Sequence, residues 1–158
     1  TSPRRGRAEG KVVAIKPLSY RGQLIEDFSI TFKDGRAVAV QAAKGEEILR
    51  DMIASDENAA YLGEVALIPK DSPISQSGIL FYETLFDENA SCHLALGAGF
   101  RNTLEGYENL SLAQCSEMGI NDSVIHVDFM IGADDLTIEG ISRNGTRHCI
   151  FEKGNWGL

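Results

Sequence analysis

Apolar residues in this chain come in short alternating runs, each soon stopped by Gly, Pro, Asp or Asn, and that punctuation constrains the fold more than any other feature. Leu24–Phe32 places Leu24, Phe28, Ile30 and Phe32 on one face at period two, the spacing of a half-buried strand. Lys33-Asp34-Gly35-Arg36 then reads as a hairpin turn into Ala37–Gln41. With the β-branched run Lys11–Lys16, stopped by Pro17, this predicts a meander of three strands. Later runs at Leu62–Ile68, Val124–Ile131, Leu136–Ser142 and His148–Phe151 also read as strands, with an Asn-Gly turn in Arg143–Thr146. Helical spacing is confined to short stretches. Gly45–Ala54 carries Ile48, Met52 and Ile53 on one face, with Glu46 and Glu47 in the first turn, where the helix dipole favours anions. Glu88–Leu96, capped by Asp87 and ended by Gly97 and Gly99, is expected as a second helix, and Ser111–Met118, ended by Gly119, as a third. Pro69–Gly78 reads as a loop from its Pro, Ser and Gly content. The expected class is α+β, mostly antiparallel sheet with two or three helices, in a single domain over residues 1–158.

Composition narrows the function. The chain is 43 % hydrophobic and 24 % charged, ordinary for a soluble globular protein. Its apolar runs fall far short of the roughly 20 residues that span a membrane. No basic segment leads into an apolar one as a secretory signal would, so the expectation is a soluble, cytoplasmic protein without a membrane partner. A net charge of −8 argues against nucleic acid as a partner, because phosphate contacts need surplus Lys and Arg. Arg4, Arg5 and Arg7 form the one basic cluster; it reads as a phosphate or carboxylate contact, or as a solvated arm or an ion-pair contact to a missing domain. Cys92, Cys115 and Cys149 are an odd set without C-x-x-C spacing, which suits reduced thiols. The chain opens Thr-Ser-Pro-Arg-Arg without an initiator Met, the start expected of a fragment.

Four residues stand out chemically. In Val124-Ile125-His126-Val127-Asp128-Phe129-Met130, His126 and Asp128 are two apart on a strand, so they point the same way, about 6.5–7 Å apart along the chain. An imidazole nitrogen and a carboxylate oxygen so placed can share a divalent ion, or can simply hydrogen-bond within the sheet. Glu64 sits inside an apolar strand, where a carboxylate is costly unless paired or bound to metal; at a strand end it would stay solvated. His93, on the expected second helix, lies four residues after Asn89, whose amide would then orient the imidazole; alternatively His93 is a surface residue. Two of the three histidines with two carboxylates in apolar settings suggest a metal site. His148 is given no role beyond packing or surface, there is no nucleophile elbow for serine chemistry, and adjacency alone does not make Cys92 and His93 a catalytic dyad.

Several segments together resemble the thermophilic aminopeptidase, or AmpS/PepS, group of metallo-aminopeptidases. They are Leu62–Pro69 (Leu-Gly-Glu-Val-Ala-Leu-Ile-Pro), Asp71-Ser72-Pro73-Ile74, the long block from Leu80 to Gly97 that contains Asp87-Glu88-Asn89-Ala90-Ser91-Cys92-His93, Asn121–Gly132 with its His126-Val127-Asp128, and the closing Gly154-Asn155-Trp156. The resemblance runs over nearly the whole chain. It implies the C-terminal metal-binding catalytic domain of an exopeptidase that removes N-terminal residues from peptides. The family's ligand roles fall on Glu64, His93, His126 and Asp128. Two divalent ions (Zn, Co or Mn) would activate a water, with Glu64 or an upstream glutamate as the general base. Two departures accompany the likeness. Where the family carries a tyrosine ligand seven residues after the first histidine, this chain has Phe100. The family's first glutamate ligand and its N-terminal domain would precede Thr1. A homodimer is also implied. The competing expectation is a non-catalytic association or scaffold domain of a larger protein.

Overall fold

In the computed structural model, which describes residues 1–79, 81 and 84–157, short antiparallel sheets are stitched together by turns and small helices. Leu80, Tyr82 and Glu83, part of the long block that carries the family resemblance, lie outside the described residues. In chain order the strands are β1 (Gly10–Val13), β2 (Leu18–Tyr20), β3 (Gln23–Ile25), β4 (Ser29–Lys33) and β5 (Arg36–Gln41), followed by helix α1 (Glu46–Ile53). Next come β6 (Leu62–Ala66), α2 (Pro73–Ser77), α3 (Thr84–Asp87), β7 (His93–Gly97) and α4 (Leu112–Glu117). The chain closes with β8 (His126–Met130), β9 (Ile138–Ile141), β10 (Arg147–Glu152) and β11 (Asn155–Trp156). The sheets are ordered β1-β4-β5, β2-β3, β6-β7-β8 and β9-β10-β11, and their strand pairs are antiparallel. The α+β, antiparallel class is the one expected.

The Asp-Gly turn between β4 and β5 forms as read, with Asp34 at φ 51° and Gly35 at φ 80°, the left-handed pair that matches the twist of a tight hairpin. Leu24–Phe32, expected as one strand, is two. Asp27 adopts φ 49° and breaks it, so Leu24 joins a separate β2-β3 hairpin while Phe28, Ile30 and Phe32 enter the core. Helix α1 runs where expected, and α4 is fixed by a capping box in which Ser111 and Gln114 bond each other's backbone. The Pro69–Gly78 loop contains α2, started by the Ser72 side chain accepting from Ser75 N–H and by Pro73 at the first position.

The expected helix over 88–96 is corrected by the structure. Glu88–Ala90 is a single 3-10 turn after α3, and Ser91 at φ −165° turns the chain into strand β7. Asn89 and His93 therefore share no helix face. The reason is burial on both sides: a central strand covered above and below reads as a nearly continuous apolar run, which periodicity alone does not separate from a helix.

The core lies between β1-β4-β5, α1 and one face of β6-β7-β8. Phe28, Ile30, Leu49, Met52, Leu96 and Phe129 are almost wholly buried in it. Phe28 of the first sheet meets Phe129 of the second, with ring centroids 5.9 Å apart. At its far end β8 is extended by a bond from Ile15 N–H to the Met130 carbonyl, 2.9 Å. With one face of β6-β7-β8 committed to the core, every second residue of these strands is left facing the opposite side.

A candidate metal centre on one sheet face

Register alone gathers the four chemical residues. Across β6-β7-β8, Glu64 pairs with Ala95 and Ala95 with Asp128, so the three form one row and point to one side. His93 is two residues before Ala95 and His126 two before Asp128, so both imidazoles join that face. Leu94, Leu96, Val127 and Phe129 point to the core instead. Strict alternation would put Leu62 on the same side as Glu64. A bulge at Gly63 prevents this: Leu62 pairs with Leu96 and Glu64 with Ala95, so the extra residue turns Leu62 inward and Glu64 outward. A Cβ at Gly63 would lie 2.0 Å from the Ala98 carbonyl oxygen, which only glycine tolerates.

One ligand atom from each of Glu64, His93 and Asp128 lies within 4.8 Å of the others. Strand spacing puts the Cα atoms of Glu64 and Asp128 about 10 Å apart, so the two carboxylates lean toward each other over Ala95. Ala95 is fully buried and, as a methyl, leaves room above itself. His126 Nε2 is 3.2 Å from Glu64 Oε2 and 3.4 Å from Asp128 Oδ1.

Backbone carbonyls orient both rings. His126 Nδ1–H donates to the Ala98 carbonyl at 2.7 Å, and His93 Nδ1–H to the Ser91 carbonyl at 3.1 Å. A carbonyl only accepts, so Nδ1 carries the proton in each ring and Nε2 is the atom offered to an ion. Asn121, fully buried, donates from its amide to the Gly97 carbonyl at 2.6 Å and the Asn58 carbonyl at 2.9 Å, which pins the end of β7 beside Ala98.

The donor set fits a divalent cation. Asp128 is 5 % exposed, and among the described residues its buried Oδ1 accepts no hydrogen bond of good geometry. A buried carboxylate oxygen without a donor is costly, and a cation relieves it. Two imidazole nitrogens and two carboxylates suit Zn²⁺ and its first-row neighbours. Without an ion, His126 is the compensating cation: the Asp128 carboxylate 3.4 Å from its Nε2, with help from the Ala98 carbonyl and Glu64, raises its pKa to about 9 against the opposing effect of burial.

Glu88 was not read from the sequence as part of this face. Glu88, assigned there to a helix start, sits half-buried in the 3-10 turn near this face. Burial, then the negative charges of Asp128 and Glu64, hold its carboxyl above the ordinary range. Its only sequence signal was proximity to His93. Phe100 lies against His126, ring centroids 5.0 Å apart, and brings carbon where a phenol would bring oxygen. His148 stands away from this face, bonded to Ser142 Oγ at 2.9 Å in the β9-β10 hairpin. The four candidate residues are thus brought together, while the expected pairing of Asn89 with His93 is not.

Known proteins resemble this chain in sequence and fold. Aminopeptidase AmpS of Bacillus subtilis (strain 168) is 52 % identical over 158 residues, all of this chain and 38 % of its own length. Aminopeptidase 2 of Geobacillus stearothermophilus is 47 % identical over the same span, again 38 % of its length. The solved structure of wild-type AmpT from Thermus thermophilus superposes with a TM-score of 0.90 at 43 % identity, covering 99 % of this chain and 38 % of that one. The chain therefore spans well under half the length of the relatives it matches. The thermophilic metalloprotease family, M29, matches over residues 1–156, and the chain belongs to that family.

Proposed function

We propose that this chain is the C-terminal, metal-binding portion of an aminopeptidase that releases N-terminal residues from peptides, with Glu64, His93, His126 and Asp128 holding two divalent ions. The observation that carries the reading is the convergence of these side chains from three strands onto one sheet face, with a buried carboxylate oxygen of Asp128 that no hydrogen bond of good geometry satisfies among the described residues. The names of the relatives supply the reaction. Zn, Co and Mn all suit the donor set.

When bound, such ions supply Lewis acidity toward a carbonyl and a water of lowered pKa. The chain's own residues do the rest. His93 and His126 present Nε2 because backbone carbonyls hold Nδ1. Ala95, whose side chain is a single methyl, lets the flanking Glu64 and Asp128 side chains approach each other over it. Glu64 and Glu88 are the carboxylates placed to take a proton from water, and Glu88 stands outside the close ligating cluster. Glu88→Gln that lowers kcat while metal content stays unchanged assigns the proton to Glu88; an unchanged kcat leaves it with Glu64 or the upstream glutamate. The rest of the reading is an N-terminal domain that walls the cleft, a further glutamate ligand upstream, a cytoplasmic location and a homodimer.

Elemental analysis of the purified protein after loading with Zn²⁺, Co²⁺ or Mn²⁺ tests the core of this reading. It expects close to two ions per chain, and a content near zero for all three removes it. A second reading, a non-catalytic scaffold domain, is favoured by Phe100, which has no oxygen at the family's tyrosine position. Phe100→Tyr decides: tighter metal binding and faster turnover of aminoacyl-p-nitroanilides support the peptidase. Protein that holds no metal with either residue supports the scaffold.

A further inference from the structure

The carbonyl that orients His126 belongs to Ala98, just past the end of β7, and its direction is set from outside the sheet. A peptide unit is planar and trans, so its C=O and N–H point in opposite directions, and holding one aims the other. In the unit that joins Gly97 to Ala98, the Gly97 carbonyl accepts from the Asn121 side-chain amide at 2.6 Å, and Ala98 N–H donates to the Ile125 carbonyl at 2.7 Å. In the next unit, Gly99 N–H donates to the Asn121 backbone carbonyl at 2.8 Å. The opposite end of that unit is the Ala98 carbonyl, which accepts from His126 Nδ1–H at 2.7 Å. Asn121 thus grips two successive peptide units, one with its side chain and one with its main chain. We infer that Asn121 is a positioning residue of the candidate metal face: by fixing the direction of the Ala98 carbonyl, it holds His126 with Nε2 turned toward an ion.

This inference rests on the metal-binding reading and adds a residue to it. Asn121 is itself held in place. It is 1 % exposed, its amide also donates to the Asn58 carbonyl at 2.9 Å, and the Asn58 amide returns a bond to the Asp122 carbonyl at 2.8 Å. The Asp56 carboxylate accepts from Ser123 Oγ at 2.7 Å and from Val124 N–H at 2.9 Å, which fixes the chain between Asn121 and β8. The contribution of the Asn121 side chain is donation. Its two amide hydrogens go to two carbonyls, while its buried Oδ1 has no partner among the described residues. An unmet buried acceptor costs free energy, so the two donated bonds are what this side chain gives in return. An apolar side chain of similar size has no hydrogen to offer either carbonyl.

The test titrates Zn²⁺ into the metal-free protein that carries this chain and then records long-range ¹H–¹⁵N spectra of its histidine rings at saturating Zn²⁺. The wild type is expected to show one pattern for His126, a proton on Nδ1 and the metal at Nε2. Asn121→Leu, which keeps the size and removes both donors, is expected to lower Zn²⁺ affinity about 10–100-fold, the loss that follows removal of an outer-shell partner. Its His126 signals should no longer show that single pattern. Asn121→Ser keeps one hydroxyl donor and is read the same way, with a smaller loss, should Asn121→Leu fold poorly. Phe151→Ala empties a buried position on β10, outside the core that backs the metal sheet, and controls for stability alone. It lowers Tm while Zn²⁺ affinity and the His126 pattern stay as in the wild type. Wild-type affinity in the Asn121 variants, or an equal loss in Phe151→Ala, overturns the inference and leaves the metal reading standing. A lower affinity with the His126 pattern intact overturns it as well, because His126 is then held without Asn121. Wild-type protein that binds no Zn²⁺ overturns both.

Discussion

His126 is the hinge of the charge balance on the metal face, because among the described residues it is the cation that stands between Glu64 and Asp128 when no metal is bound. His126→Ala leaves two carboxylates facing each other and removes a candidate ligand at once. Affinity for Zn²⁺, read by isothermal titration, should then fall by more than the roughly 10–100-fold that follows loss of an outer-shell partner. Unchanged affinity would take His126 out of the ligand set. The same residue gives the metal-free protein a pH signature. Its folded pKa of about 9 exceeds the unfolded value near 6.5, so folding is favoured by the bound proton. That contribution is fully present below about pH 6.5 and is lost as pH rises through 9. The urea midpoint of metal-free protein is expected to drop between pH 6.5 and 9.5, and His126→Asn to flatten that drop. The H-x-D pair was legible in the sequence because period two is certain within a strand. Glu88 was not, since only packing brings its turn to β8.

One inserted residue decides the β6-β7-β8 sheet. Without the bulge at Gly63, Leu62 and Glu64 would share a face, and either the core would receive a carboxylate or the site would receive a leucine. Gly63→Val drives a Cβ into the Ala98 and Gly97 carbonyls, 2.0 and 2.5 Å away in the present backbone. A loss of about 3 kcal/mol in urea unfolding is expected, the upper end of what forcing extra atoms into close-packed structure costs, together with loss of metal binding. A Gly63→Val protein of native stability that still binds metal would show that the bulge positions nothing. The hairpin turn at Asp34-Gly35 could be read directly because two residues dictate its geometry, and Gly145, at φ 85°, marks the longer turn between β9 and β10. Strand β7 was misread as helix. Its pattern His-Leu-Ala-Leu-Gly carries apolar groups on both sides, and the partners that make it a strand, β6 and β8, are distant in sequence.

Across the molecule, the metal face is only as well placed as the core beneath it. Phe28 and Phe129 join the first sheet to the sheet that carries the site, and Phe129 stands between Asp128 and Met130 on β8. Phe129→Ala is expected to cost about 3–5 kcal/mol, the range for emptying a buried aromatic position. It should also weaken metal binding, although its ring never faces the ion. Phe28→Ala, at the same junction but on the opposite sheet, should match it in urea unfolding. A cost under about 1 kcal/mol for both would mean that the two sheets are held by other contacts.

By itself the sequence determined what depends on near neighbours: the antiparallel α+β class, the hairpin turns, the side-by-side direction of His126 and Asp128, and the family likeness that long matching segments carry. Tertiary structure alone decided that Glu64, His93 and the His126–Asp128 pair share one face, that the buried Asp128 Oδ1 has no hydrogen bond of good geometry among the described residues, and that a cavity adjoins it. These depend on strand register and a one-residue bulge. Both are set by pairing energies between segments some thirty to sixty residues apart, and no local pattern in the chain encodes them.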